Sequence, residues 1–351
     1  MKQQTTTESQ PSEQGRRIAI WDNLKAFLII CVVLGHMIDY FETKQPVFKQ
    51  IFFFIYLFHM PLFFFISGLF SKSVIRKEQF PSGRIIHYFI LYLILNIANR
   101  FAEDISANGL FAHANMKNFT LIGPKGAAWF LFVLPIFLCL TRLLRRVAPG
   151  LVLSVSILTA CFAGYDAAIG DAFCLSRIFV FYPFFYLGYW LNPEQVCAVT
   201  HKKSSRIASV VVLLAAVGIV LFGIKHLYDY RPLLTGRNPF SEIPHSNLGF
   251  LIRGFYYVAV AVLSFAIISL TPQKNTIFTK TGQRTLQIYC YHRVLVSLFV
   301  NLGGVRLLKH LAPSAWIYLY MACALVIVFL LTWKPLGTPI QKLKEWCNTT
   351  P

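Results

Sequence analysis

The sequence predicts an all-α, polytopic integral membrane bundle of about ten transmembrane helices. Three observations carry that expectation. First, 56% of the 351 residues are hydrophobic and only 13% are charged, outside the range of a soluble domain. Second, the apolar residues gather into ten runs, 18–41, 51–71, 85–101, 127–144, 150–166, 172–192, 207–226, 248–271, 285–303 and 314–334. Most approach the ~20 residues that a bilayer requires, with 85–101 and 150–166 at the short limit. Third, Lys and Arg divide unevenly between the connections. With the N-terminus inside, 19 fall on the inner side and 10 on the outer, which places both termini in the cytoplasm.

Composition also sets the partners. The formal charge of +19 is spread between apolar runs, with no basic stripe interleaved with exposed aromatics, so the charge suits anionic headgroups of a lipid bilayer and not a nucleic acid. The eight cysteines stand singly, most of them inside apolar segments, and no CxxC spacing occurs. Neither a disulfide framework nor a metal site is expected. Residues 1–17, polar at their start, read as a disordered cytoplasmic tail, 18–334 as the membrane domain and 335–351 as a second cytoplasmic tail. The first apolar run is too long for a signal peptide. The expected location is the cell (inner or plasma) membrane.

Span one, within WDNLKAFLIICVVLGHMIDYF, carries Asp22, Lys25, His36 and Asp39. Lys25 and His36 are eleven residues apart, roughly three turns plus 20°, so both lie on one helix face about 16 Å apart along the axis. An intramembrane charge costs at least about 2.5 kcal/mol unless it snorkels, pairs or faces a wet cavity. Lys25 therefore reads as a headgroup anchor paired with Asp22 or as the wall of a polar cavity. His36 reads as a histidine bonded to a neighbouring helix or as part of the same wall, since even a neutral imidazole needs partners in hydrocarbon.

Span two places His59 two residues before Pro61 and ends in Ser67-Gly68. The proline frees a backbone carbonyl and kinks the helix, and the inward direction of this span brings His59 near the depth of His36. His59 is thus either a packed histidine at a kink or a second polar group of the site. Span three opens with Arg84 and His87, three residues apart and on one face. They are either ordinary inner-side charge or a site for cytosolic phosphate, for which Arg offers a rigid fork of donors. Trp129 opens span four, where an aromatic belt is the plain reading. Arg177 lies inside span six and Arg293 follows His292 inside span nine. Each arginine needs a partner or a cavity, and Asp166 or Asp171 stands in reach of span six. The long outer connections 102–126 and 227–247 suit lids or disordered segments. No short internal repeat appears, against a transporter built on inverted repeats.

Taken together, these residues resemble the membrane-bound acyltransferase-3 family, most closely its fucose 4-O-acetylase-like branch. Lys25-x10-His36 is similar to the family's Arg/Lys-x10-His signature, and FHMPLFFFISGLF to the phrase of its second span. GAAWFLFVL, FYPFFYLGYWL and TLQIYCYH resemble its later helices in the right order. Where the family often has Arg-x2-Arg before Pro-Tyr, this chain has Arg84-x2-His87, with Leu91 at the proline position. The resemblance implies transfer of an acyl group, usually acetyl, from acetyl-CoA to a hydroxyl of a carbohydrate acceptor, without a metal. His36 would act as base or acyl carrier, with Lys25 and His59 beside it in the catalytic group. Arg84, His87 and Ser67 would bind the acyl-CoA donor, and Trp129, His292 and Arg293 the acceptor. A polytopic transporter or flippase, using Lys25, His36 and Arg177 as a proton or substrate pathway, is the competing expectation.

Overall fold

A computed structural model describes residues 13–41, 45–108 and 127–349. Most of the tail expected over 1–17 and most of the 102–126 connection lie outside the described residues. Among the described residues all secondary structure is helical. The principal helices are α1 (Glu13–Ile38), α2 (Pro46–Leu69), α3 (Ser82–Asn108), α4 (Trp129–Leu143), α5 (Pro149–Ala163), α6 (Leu175–Trp190), α7 (Lys203–Leu227), α8 (Gly249–Leu270), α9 (Thr285–Asn301), α10 (Trp316–Leu331) and α11 (Thr338–Thr349).

Every one of the ten apolar runs forms a helix, but they are not equal spans. Six described helical segments are long and apolar enough to cross a membrane, or eight when each of two bent pairs counts as one. The 15-residue helices α4 and α5 reach only about 22 Å, short of a ~30 Å hydrocarbon core. α9 continues into the helix Gly304–Leu311 after a 58° bend. Gly303 stands at that break with φ +97°, a conformation open to glycine alone at little strain. α10 continues into α11 after a 73° bend, where Pro335 cannot donate the next helical hydrogen bond.

α2 is the hub, packed on α1 along one side and on α6 along another. α1 in turn meets α9, α10 and the short helix Thr279–Gln283. Asn23 fastens its lower part. Its amide donates to the carbonyls of Pro272 and Lys274 (2.9 Å each), and its oxygen accepts from Thr276 Oγ1 at 2.8 Å and Thr279 Oγ1 at 2.7 Å. All four of its side-chain bonds are thereby made. At the other end of α1, Tyr320 Oη of α10 donates to the Met37 carbonyl at 2.7 Å. This fixes the backbone next to His36. α1 is therefore held at both ends, and the two ends of the bundle can be named by its residues, the Lys25 end and the Asp39 end.

Candidate active site

At the Lys25 end a cavity of about 260 Å³ opens between α1, α2, α3, α4 and α9. Lys25, Ser67, Tyr88, Phe130, Thr285 and Tyr289 are among its walls. Lys25 is 30% exposed and its Nζ lies 2.7 Å from Asp22 Oδ1, so the cavity presents a paired cation. Ser67 Oγ donates to the Phe63 carbonyl at 2.8 Å, leaving its oxygen lone pairs for a ligand. Arg84 is half-buried and within electrostatic range of the lining residue Tyr88, which sets it at the rim. His87 does not join this cavity. It is buried on the side of α3 that packs against α11, near Ile340 and Lys344, so the pair Arg84 and His87 divides between two neighbours.

Further along α1 the histidines meet. The His36 and His292 rings are 5.2 Å apart, inclined by 33°. His36 also lies within electrostatic range of Arg293 and His59. His292 is fully buried, and its Nδ1 donates to the Tyr289 carbonyl at 2.8 Å. His59 Nδ1 does the same to the Ile55 carbonyl at 2.8 Å. A carbonyl accepts only, so in the neutral rings these bonds fix the proton on Nδ1 and leave Nε2 as the basic nitrogen. Among the described residues, His292 Nε2 and His36 Nδ1 have no hydrogen-bond partner. An imidazole cluster with nitrogens that no described group bonds has the chemistry to take a proton from a hydroxyl group.

The Asp39 end is cationic around one carboxylate. Arg293, Arg231 and Arg237 all act on Asp39, and the Arg293 guanidinium covers the Tyr40 ring at 5.2 Å. Trp129 stands apart from both the histidines and the cavity surface. The Arg177 guanidinium lies 4.7 Å from its ring centroid, and Arg177 Nη1 is 3.3 Å from Asp171 Oδ1. Trp129 thus answers the buried charge of span six, packed also against Phe64 and Phe181, one residue behind the cavity wall at Phe130.

Among the candidate residues, then, Lys25, Ser67 and the rim residue Arg84 share one place, and His36, His59, His292 and Arg293 another. Sequence reasoning passed over Tyr289, which lines the cavity and whose carbonyl orients His292. The signal was there, since Tyr289 is three residues before His292 and so on its face. It also passed over Asn23, whose four partners are distant in sequence, and Arg253, a fully buried cation in α8.

Comparison with known proteins places the chain in a family. The acyltransferase-3 family, described as an acyltransferase domain, matches residues 18–333. The nodulation protein NolL of Mesorhizobium japonicum is 35% identical over 80 residues, which cover 21% of this chain and 20% of that protein. The chain therefore spans about one fifth of the length of the curated relative it matches. No solved structure matches. A family match over residues 18–333, from within α1 to just past α10, takes in Lys25, the histidine cluster and every wall of the cavity, and the chain belongs to the acyltransferase-3 family.

Proposed function

We propose that the protein is a membrane-bound O-acyltransferase that moves an acyl group, acetyl in the first instance, from cytosolic acyl-CoA to a hydroxyl of a surface or metabolite glycan. The observation that carries this reading is the His36–His292 contact, placed between a cation-lined cavity at one end and Asp39 with three arginines at the other. The Lys25 end faces the cytosol, in keeping with the Lys/Arg distribution, and receives the donor.

The geometry supports base-catalysed transfer. His36 takes the proton of the acceptor hydroxyl as its oxygen attacks the thioester carbonyl. A new C–O bond forms, the oxyanion meets the field of Arg293, the C–S bond breaks, and the proton passes from His36 to the departing thiolate. His292 and His59 keep His36 in place, each locked by a backbone carbonyl. Lys25, about 16 Å along α1 from His36, holds the donor and does not touch the reacting atoms.

Labelled acetyl-CoA supplied to the purified protein in liposomes should leave its label covalently on an added glycan. Uptake of the glycan without label would instead mark a transporter, which leaves its substrate unchanged. Arg84→Ala should raise KM for acetyl-CoA by about tenfold, as expected for one lost charge-assisted hydrogen bond, with KM for the acceptor little changed. Normal insertion with both constants unaltered would reduce Arg84 to a charge that orients the chain.

A further inference from the structure

Between α2, α7 and α8, beneath the short helix Arg231–Thr235, lies a groove of about 770 Å³. Its walls are aliphatic and aromatic, among them Leu57, Ala216, Ile219, Leu234, Phe255 and Ala259. Ile219 and Phe255 are 61% and 75% exposed, so it opens sideways, toward lipid. Its lining runs from Leu248, just before α8, to Leu263 within it, about 22 Å along the helix axis and most of the way through a bilayer core. Ordinary bilayer chains would fill such a groove without any function. What distinguishes this one is where it ends.

The capping helix begins with Arg231, and Tyr230 and Leu234 on either side of that residue line the groove. The Arg231 guanidinium covers Phe52 at 5.9 Å and Tyr228 at 5.8 Å, and Lys49 covers Tyr228 at 5.0 Å. Arg231 and Arg237 both act on Asp39, one helical turn from His36. Arg231 thus stands between the groove wall at Tyr230 and Asp39, and Arg237 joins it on the Asp39 side. Arg253, fully buried, secures this roof through the Leu233 carbonyl and the Phe240 ring. Tyr256, also buried, is among the groove's walls.

We infer that the groove seats the hydrocarbon chain of a phosphate-linked lipid carrying the acceptor sugar, so that the acceptor is a lipid-linked saccharide. The long apolar wall takes the chain, Arg231 and Arg237 take the phosphate, and the sugar beyond it falls at Asp39 and His36. This inference rests on the acyltransferase reading for its sugar but not for its lipid, and the two are tested separately.

A photoreactive long-chain polyprenyl phosphate is added to the full chain in phosphatidylcholine nanodiscs, and the labelled peptides are mapped. Labelling should fall on α2, α7 and α8, be competed by unlabelled polyprenyl phosphate but not by phosphatidylglycerol, and drop at least tenfold in A216W/A259W. Equal competition by phosphatidylglycerol, or unchanged labelling in the variant, would mean ordinary bilayer lipid only and overturn the inference. In parallel, acetyl transfer is measured to one sugar on a long polyprenyl phosphate and on a short soluble chain. A216W/A259W should raise KM for the long-chain acceptor about tenfold and leave the short-chain rate unchanged, which also certifies its fold. Equal loss with both acceptors would overturn the groove's role, whereas wild-type protein that acylates neither, yet still labels specifically, would sink only the acyltransferase reading.

Discussion

His36→Gln and His36→Ala should both abolish acyl transfer while leaving the protein folded in the membrane. Loss of a general base costs about 10²–10⁴-fold, enough to bring a slow membrane enzyme to background. The stability side follows from the bonds His36 makes. Its Nδ1 has no hydrogen-bond partner among the described residues, so replacing the ring severs no bond there, and thermal stability should hold or rise, as is common when a polar catalytic group is removed. His59 and His292 supply the contrast, because each donates to a backbone carbonyl at 2.8 Å. Alanine at either should lower stability by about 1 kcal/mol, the net worth of a typical hydrogen bond. A glutamine can replace a hydrogen bond but cannot accept a proton near neutral pH. If His36→Gln keeps more than about a tenth of wild-type turnover, the histidine is structural and the assignment fails. The measurement is labelled-acetyl transfer alongside a detergent thermal-shift assay on the same preparations.

What could be read from the sequence and what could not separates along the range of the interactions. The ten helices were legible because hydrocarbon leaves a spanning backbone no other way to bond itself, and an apolar run announces that locally. Lys25 was legible for a similar reason, its partner Asp22 being three residues away. The Arg177–Asp171 pair, six residues apart, was within reach of the same reasoning. His36 and His292 were each visible as costly polar groups, but their contact was not. It depends on α1 packing against α9, across 256 residues of chain. Trp129 was read as an interfacial tryptophan and, through the resemblance, as an acceptor residue; that it faces a guanidinium from α6 is a contact span four alone could not reveal. His87 shares a face with Arg84, yet the turn after α10 folds α11 back over it. That turn depends on Pro335, which lies beyond the last apolar run.

Gly188→Leu should prevent the protein from folding, and Gly188→Ala should lower its stability by about 1–3 kcal/mol, the usual range for an overpacked site. α2 and α6 cross backbone to backbone. A Cβ placed on Gly188 would run into the Phe65 carbonyl and the Leu69 nitrogen, and one placed on Gly68 would run into the Phe185 carbonyl and the Tyr189 nitrogen. The glycines thus abut each other's helices reciprocally, the arrangement by which small residues let membrane helices approach closely. Because backbone is the obstacle, no rotamer change relieves it and the helices must part. Parting them displaces α2, which carries His59 and Ser67, from α6, which carries Arg177, so Gly188→Ala should also reduce transfer. Gly218 and Gly254 are the controls. They lie within α7 and α8, and a Cβ at either would meet no atom within 4 Å. Alanine there should be neutral or stabilising, since glycine costs about 1 kcal/mol in a helix interior. Thermal midpoints of the alanine variants at Gly188, Gly218 and Gly254 in one detergent decide the matter. Should Gly188→Ala match Gly218→Ala, the close crossing of α2 and α6 would not be holding the bundle together.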